Sequence, residues 1–177
     1  MTESAIEIKP LGVNDAAALR AVATQAYRDH YLDLWYDNGD WYLQTYFSLS
    51  RFEEELRDTN AFFFMIFYNG NAVGFLKLNT NKPLPGHSEN ALELERIYLI
   101  KKASGTGIGT AVLQYTFSVA LQQHTNRVWL KVMDSSDGPI RFYKKMGFAI
   151  CGTYWLSFPQ MKENRRGMYI METRVRD

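Results

Sequence analysis

LELERIYLIKKASGTGIGTAVL, Leu92 to Leu113, passes from an apolar run through a short polar link into a loop with glycines at 105, 107 and 109, then into an apolar helical pattern. Strand, glycine loop and helix in that order put the unpaired N–H groups of a helix start, with their partial positive charge, beside residues that let an anion approach the backbone. Spacing excludes two owners of such a loop. The pattern G-x-x-x-x-G-K-[ST] needs a lysine directly after its last glycine, and Thr110 follows Gly109. The dinucleotide fingerprint would put its third glycine at Thr110 and run its strand straight into the first glycine, whereas Lys101 to Ser104 intervene. On spacing alone, a plain turn that uses glycine for positive φ stands beside the phosphate site as an open alternative.

Working outward, Ile108, Val112, Tyr115 and Val119 follow the loop at helical spacing and predict one buried face. Upstream, AIEIKPL alternates as a strand, and Asn14 or Asp15 is placed to cap a helix over AAALRAVATQAYRDHY. Asn38-Gly39 breaks the chain, and Ser48 or Ser50 can start a short helix over RFEEELRD. AFFFMIFY and AVGFLKLN, joined by Asn69-Gly70-Asn71, form a hairpin because Asn and Gly tolerate positive φ. NKPLPGHSEN reads as a loop, RVWLKVM as a strand, GPIRFYKKM as a helix, and GFAICGTYWLSF and GMYIMETRV as two closing strands. The resulting order, β-α-α-β-β-β-α-β-α-β-β, predicts an α/β (α+β) fold: a mixed central sheet of about seven strands with helices on both faces.

A chain of 177 residues, 46% hydrophobic and 22% charged, fits a single domain spanning 1–177, with no repeat or linker-like run to divide it. The 20 basic and 19 acidic residues give a net charge of +1, which supplies no general attraction to nucleic acid or an anionic membrane. Cys151 is the sole cysteine, so an internal disulfide and cysteine-rich zinc spacings are excluded. His30, His87 and His124 show no metal spacing, and no metal is expected. MTESAIEIKP lacks the basic and apolar regions of a leader, and no apolar run reaches membrane-spanning length, so a cytoplasmic protein is expected.

The opening stretch, followed about thirty residues on by WLKVMDSSDGPIRFYKKMGF, resembles the two signature segments of GNAT-superfamily N-acetyltransferases. In that family the first segment reads [QR]-x-x-G-x-[GA] and cradles the pyrophosphate of acetyl-CoA on backbone amides. Gly107 and Gly109 fill the small-residue positions, while Ser104 stands where Gln or Arg is usual. The second segment reads N-x-x-A-x-x-F-Y-x-x-x-G-F; Phe142, Tyr143, Gly147 and Phe148 match, with Ser136 and Pro139 departing from it. The resemblance implies cofactor contacts from Ser104, Gly105, Thr106, Gly107, Ile108, Gly109 and Thr110. It also implies sheet-like bonding of the pantetheine arm to Ile97, Tyr98 and Leu99, and contacts from Ser136, Tyr143 and Lys145.

Acetyl transfer to an amine needs a neutral amine, a place for carbonyl charge and a stabilised thiolate. Glu93 and Glu95 are the candidate bases; they stand two apart on a strand and share a face unless a bulge intervenes. Aligned back from the glycine loop, Glu93 falls where several family members keep their base and ranks first. Ordinary pairing with Arg96 or a lysine is the alternative for either. The Ile97 or Tyr98 N–H would receive the carbonyl oxygen, and Tyr143 occupies the position of the family's usual general acid. A packed core aromatic is the alternative for Tyr143.

Ala26 to Phe47, AYRDHYLDLWYDNGDWYLQTYF, carries Asp29, Asp33, Asp37 and Asp40 among seven Tyr and Trp residues. Acids neutralise a polycation and aromatic faces attract ammonium groups, so Tyr31, Trp35, Tyr36 and Asp37 are candidate acceptor-binding residues; a solvated helix face with inward-packed aromatics is the alternative. This segment, the hairpin FFFMIFYNGNAVGFLKLN, LELERIYL and FYKKMGF together resemble PaiA-type bacterial polyamine acetyltransferases, which implies spermidine or spermine as acceptor. The competing readings are acetylation of a peptide N-terminus or an aminoglycoside-like amine, and a non-catalytic acyl-CoA sensor. A small-molecule amine is thus the expected partner, and the resemblance adds a homodimer, since many relatives are dimers.

Overall fold

In the computed structural model, which describes residues 6–176, all the expected strands form and join one sheet. The alternating start gives β1 (Ile6–Pro10). Ala5, placed in that strand by its alternation, lies outside the described residues, as do the four residues before it and Asp177. In α1 (Ala16–His30) the buried residues Ala16, Leu19, Ala23, Ala26 and Tyr27 make one helical stripe. Asp15 does not cap this helix with its side chain: its carboxylate accepts the Gly12 N–H at 2.8 Å across a 3-10 turn over Val13–Asp15.

One helix was not legible from the pattern. Asn38 and Gly39 break the chain with left-handed φ of 56° and 81°, but Asp37 spans the break. Its carboxylate accepts the N–H groups of Gly39 at 3.0 Å and Trp41 at 2.8 Å, starting α2 (Asp40–Tyr46). Ser48 caps α3 (Leu49–Leu56), its hydroxyl accepting the Arg51 N–H at 3.3 Å. The hairpin is β2 (Ala61–Tyr68) and β3 (Asn71–Asn79), with Asn69 and Gly70 at φ 49° and 78°, as a two-residue turn matched to strand twist requires. There follow β4 (Leu92–Leu99), α4 (Ile108–Gln122), β5 (Arg127–Met133), α5 (Asp137–Lys145), β6 (Ala149–Trp155) and β7 (Gly167–Arg174).

The strand order is β1-β2-β3-β4-β5-β7-β6, antiparallel throughout except for the parallel pair β4 and β5. One face packs Leu76, Leu78, Leu92 and Leu94 against Val112 and Leu113 of α4; the other packs Phe63 and Phe75 against Leu19, Ala23 and Phe52 of α1 and α3. Burying each of these leucine, valine and phenylalanine side chains contributes about 1.5–3 kcal/mol. On α4, Ile108, Val112 and Val119 are buried at the anticipated spacing, whereas Tyr115 is half-buried with its ring edge-on to Phe64 at 5.2 Å.

Two irregularities interrupt the pairing of β4. The β4–β5 ladder runs only from Leu92–Val128 to Leu94–Leu130, so from Glu95 onward that edge of β4 has no strand partner. On the other edge Leu78 pairs with Leu94 and Lys77 with Arg96, leaving Glu95 as the extra residue of a β-bulge.

Candidate active site

The bulge controls which side chains face the helices. Leu92 and Leu94, and then Ile97 and Leu99, pack into the core on the α4 side. Glu95 meets Lys77 and Arg96, which reach Glu55 of α3, and Tyr98 joins the aromatic core on that same side. Glu93 shares the face: the Asn79 Nδ2 donates to Glu93 Oε2 at 2.8 Å and to Glu95 Oε2 at 2.6 Å. The two glutamates thus share one face, although Glu95 is itself the bulged residue, and the parity of the strand changes from Arg96 onward.

At the fork between β4 and β5 lies a cavity of about 420 Å³. Its walls include Glu93 to Tyr98 of β4, Lys131 to Met133 of β5, Ser136 just before α5, Tyr143 of α5, and Tyr31 and Trp35 from the segment between α1 and α2. Tyr27, Tyr42, Tyr46 and Phe158 complete an aromatic end. Trp35 is a fixed wall, 1% exposed, donating from Nε1 to the Tyr27 hydroxyl at 2.8 Å and stacked on Tyr42 at 4.8 Å. The β6–β7 connection closes this side through a Trp35–Met161 bridge and the Tyr36 N–H bonded to the Gln160 carbonyl at 3.0 Å.

The two carboxylates differ. For Glu95, burial pushes the carboxyl upward, but the Arg96 guanidinium and Lys77 ammonium outweigh it and hold the group below its ordinary range. Glu93, 5% exposed, makes no ion pair among the described residues; its partner is the neutral Asn79 amide. Tyr143, 8% exposed, has its phenol pushed well above the usual value by burial and by the nearby Tyr31. Its hydroxyl has no hydrogen-bond partner among the described residues.

Strand parity decides between Ile97 and Tyr98 as donors to the fork. The N–H and C=O of one residue point to the same neighbouring strand and alternate along the chain. Tyr98 turns its carbonyl to β3, so close to Gly74 that any Cβ there would overlap it, and the Ile100 N–H bonds to Val73 at 2.8 Å. Ile97 and Leu99 therefore direct their peptide groups to the open edge, where the Leu99 carbonyl accepts from His30 Nε2 at 2.9 Å.

The glycine loop lies outside this cavity, at the start of α4. Asp29, at the end of α1, braces its approach by accepting the Lys101 N–H at 2.8 Å. Thr106 Oγ1 donates to the Ala103 carbonyl at 2.7 Å. Gly105 and Gly107 take φ of 78° and 82°, and a Cβ on either would enter open space. The N–H groups of Gly105 to Thr110 have no acceptor among the described residues. Such a strip of free amides fits a pyrophosphate, with Ser104 exposed at its head. Gly109 is needed for another reason: a Cβ would press on the Phe142 ring at 3.2 Å, so its absence lets α5 pack against the first turn of α4. Lys145, one turn after Phe142, is exposed at the end of α5 and outside the cavity.

Two expected acceptor contacts fall elsewhere. Tyr36 is 66% exposed and outside the cavity, and Asp37 spends its carboxylate on the start of α2. The other acids of that segment are also outside the cavity: Asp29 holds Lys101, Asp33 stands 3.9 Å from Arg165, and Asp40 is exposed in the first turn of α2. Sequence reading missed Asn79 and Glu55, which arrive from β3 and α3. Glu55 did carry a signal, three residues after the buried Phe52 and hence on the inward face of its helix.

A β4–β5 fork, a free-amide loop at the next helix and a tyrosine on α5 define an acyl-CoA-type transferase fold. The chain belongs to the acetyltransferase (GNAT) family, whose model matches residues 19–148. It is 31% identical over 106 residues to an uncharacterized N-acetyltransferase of Mycobacterium bovis, covering 60% of this chain and 64% of that protein; the match thus spans just under two thirds of that relative's length. Its fold is similar to that of the PaiA N-acetyltransferase of Thermoplasma acidophilum, solved in complex with coenzyme A (TM-score 0.73, 20% identity, 97% of this chain and 99% of that one). A probable acetyltransferase of Staphylococcus epidermidis shares the fold as well (TM-score 0.74, 13% identity, 97% and 100% covered).

Proposed function

We propose that this chain transfers an acetyl group from acetyl-CoA to a primary amine, and that the amine is an aliphatic polyamine such as spermidine or spermine. The observation that carries the reading is the cavity at the fork, which gathers Glu93, the open-edge peptide group of Ile97 and the Tyr143 hydroxyl. Bound acetyl-CoA supplies the activated acyl group and a thiolate leaving group. Glu93, with no cation partner among the described residues, accepts the proton that the amine must lose, directly or through a water. The Ile97 N–H, fixed by the sheet before reaction, donates to the acyl oxygen as charge gathers there. The Tyr143 hydroxyl donates to the sulfur; with its proton held more tightly than in a free phenol, it acts by hydrogen bonding rather than by full transfer. Glu95, neutralised by Lys77 and Arg96, is the weaker base.

The polyamine reading is supported by the aromatic end of the cavity, whose ring faces suit methylene chains and ammonium groups. Glu93, rather than the aspartates of the aromatic segment, supplies the negative charge. One observation favours a second reading, acetylation of a peptide N-terminus: Lys131 lines the same cavity over the Tyr154 ring at 4.3 Å, with no carboxylate partner among the described residues, and could receive a carbonyl or carboxylate near the amine. Free-thiol release from acetyl-CoA with a panel of polyamines, peptides and aminoglycosides tests both. Faster release with spermidine than with any peptide supports the polyamine; the reverse order rejects it in favour of the peptide. Acetyl-CoA binding without release for any acceptor would reject both and indicate a sensor.

A further inference from the structure

We infer that Asn79 is a positioning residue for the base: its side-chain amide ties Glu93 to Glu95 and holds the Glu93 carboxyl in place with a neutral donor instead of a cation. The inference rests on the reading of Glu93 as base. Both acceptors of the Asn79 side chain are carboxylate oxygens, at 2.8 and 2.6 Å, so only the NH2 end can face them and the amide has one orientation. Backbone pairing of Asn79 with Glu93 fixes the side chain where it can serve both.

The surroundings show what this contact replaces. On the α3 and β3 side, Lys77 meets Glu55 at 2.8 Å and pairs with Glu95, while Arg96 reaches both glutamates at 3.3 Å. Arg51 adds a contact to Glu55 at 3.4 Å. Lys77 and Arg96 are therefore taken up by Glu55 and Glu95. The cavity also receives Tyr98 of β4 itself and, from other elements, Tyr42, both phenols held neutral by burial, together with Lys131, Tyr143 and Tyr154. A direct ion pair would make Glu93 a poor base by stabilising its charge too strongly, and no partner at all would let it share a proton with Glu95. A neutral donor between the two carboxylates is the intermediate solution. It also leaves the second oxygen of Glu93 outside the amide contact.

The experiment is a carboxyl 13C NMR titration of the full chain carrying labelled glutamate, with the Glu93 signal assigned by its loss in Glu93→Gln. In Asn79→Ala the Glu93 midpoint is expected to rise by about one pH unit, because the charged form loses a donor and faces Glu95 directly. In Glu95→Gln it should move the opposite way, since a like charge is removed while Lys77 and Arg96 remain. A merely structural role for Asn79 leaves the Glu93 midpoint unmoved in Asn79→Ala, while the Glu95→Gln shift reports the charge coupling between the two carboxyls. An unmoved or lowered Glu93 midpoint in a folded Asn79→Ala protein overturns the inference. Thiol release by Glu93→Gln tests the underlying reading separately: loss of turnover supports Glu93 as base, whereas retained turnover removes it and takes the purpose of the Asn79 contact with it.

Discussion

Replacing Tyr143 by Phe separates catalysis from packing because of how the side chain sits. The ring is buried against Phe142 and Phe148, with centroids at 5.4 and 5.7 Å, and phenylalanine preserves that packing. The hydroxyl points to no protein partner among the described residues, so deleting it leaves no buried donor or acceptor unsatisfied, and stability should change by less than about 1 kcal/mol. What is lost is a hydrogen bond to a developing thiolate. Such a bond to a charged group is worth about 1.5–3 kcal/mol, so kcat should fall by roughly ten- to a hundredfold. Acetyl-CoA affinity should stay within about twofold, since the bond strengthens only as the sulfur gains charge. Steady-state thiol release, acetyl-CoA titration and urea unfolding on the same preparation check the three expectations. Because burial raises the phenol, wild-type rates should also show no loss from Tyr143 ionisation as pH rises to the ordinary tyrosine value near ~10. Wild-type turnover in a folded Tyr143→Phe protein would remove the hydroxyl from the mechanism and leave Tyr143 as a core aromatic.

Gly107→Val should weaken acetyl-CoA binding at least about tenfold in calorimetric titration, since a β-branched residue is strained at φ 82° and its side chain enters the open space beside the free amides; unchanged affinity would move the pyrophosphate elsewhere. Glu55→Gln deprives the buried Lys77 and Arg96 of a shared counter-ion and should cost about 3 kcal/mol, lowering Tm by roughly 6–12 °C in a thermal melt; a shift under about 2 °C would mean that Glu95 alone suffices for both cations. Acid should expose the Glu95 contribution. Its folded pKa lies below the ordinary carboxylate value, so its stabilisation is present above about pH 4.3 and is lost as pH falls through the depressed folded value. Urea midpoints of wild type and Glu95→Gln should therefore converge below that pH, and a constant gap down to about pH 2 would contradict the assignment.

The strands and the hairpin were legible because each rests on local chemistry: alternation in AIEIKP, the Asn69-Gly70 turn, the aromatic and branched run of β2. The glycine loop was legible for the same reason, since its φ values belong to Gly105 and Gly107 themselves. α2 was hidden because its signal is a single carboxylate, Asp37, reaching across an Asn-Gly break that by itself ends a pattern. That same use of Asp37 shows why spacing alone could not choose between an acidic patch and a solvated face: Asp29, Asp33 and Asp37, close in sequence, meet Lys101, Arg165 and the start of α2 respectively. Asn79 and Glu55 needed knowledge of register and helix docking, which no spacing within LELERIYL contains. The bulge at Glu95 was equally silent, although it decides that Arg96 and Tyr98 share a face with the glutamates.

The most direct measurement is mass spectrometry of the products after the full chain is incubated with acetyl-CoA and, separately, spermidine, a short peptide and an aminoglycoside. One amine carrying a single added acetyl group is expected, with free coenzyme A in equal amount and both products lost in Glu93→Gln. Saturable binding of acetyl-CoA with no acetylated amine from any of the three would contradict acetyl transfer as the activity of this chain.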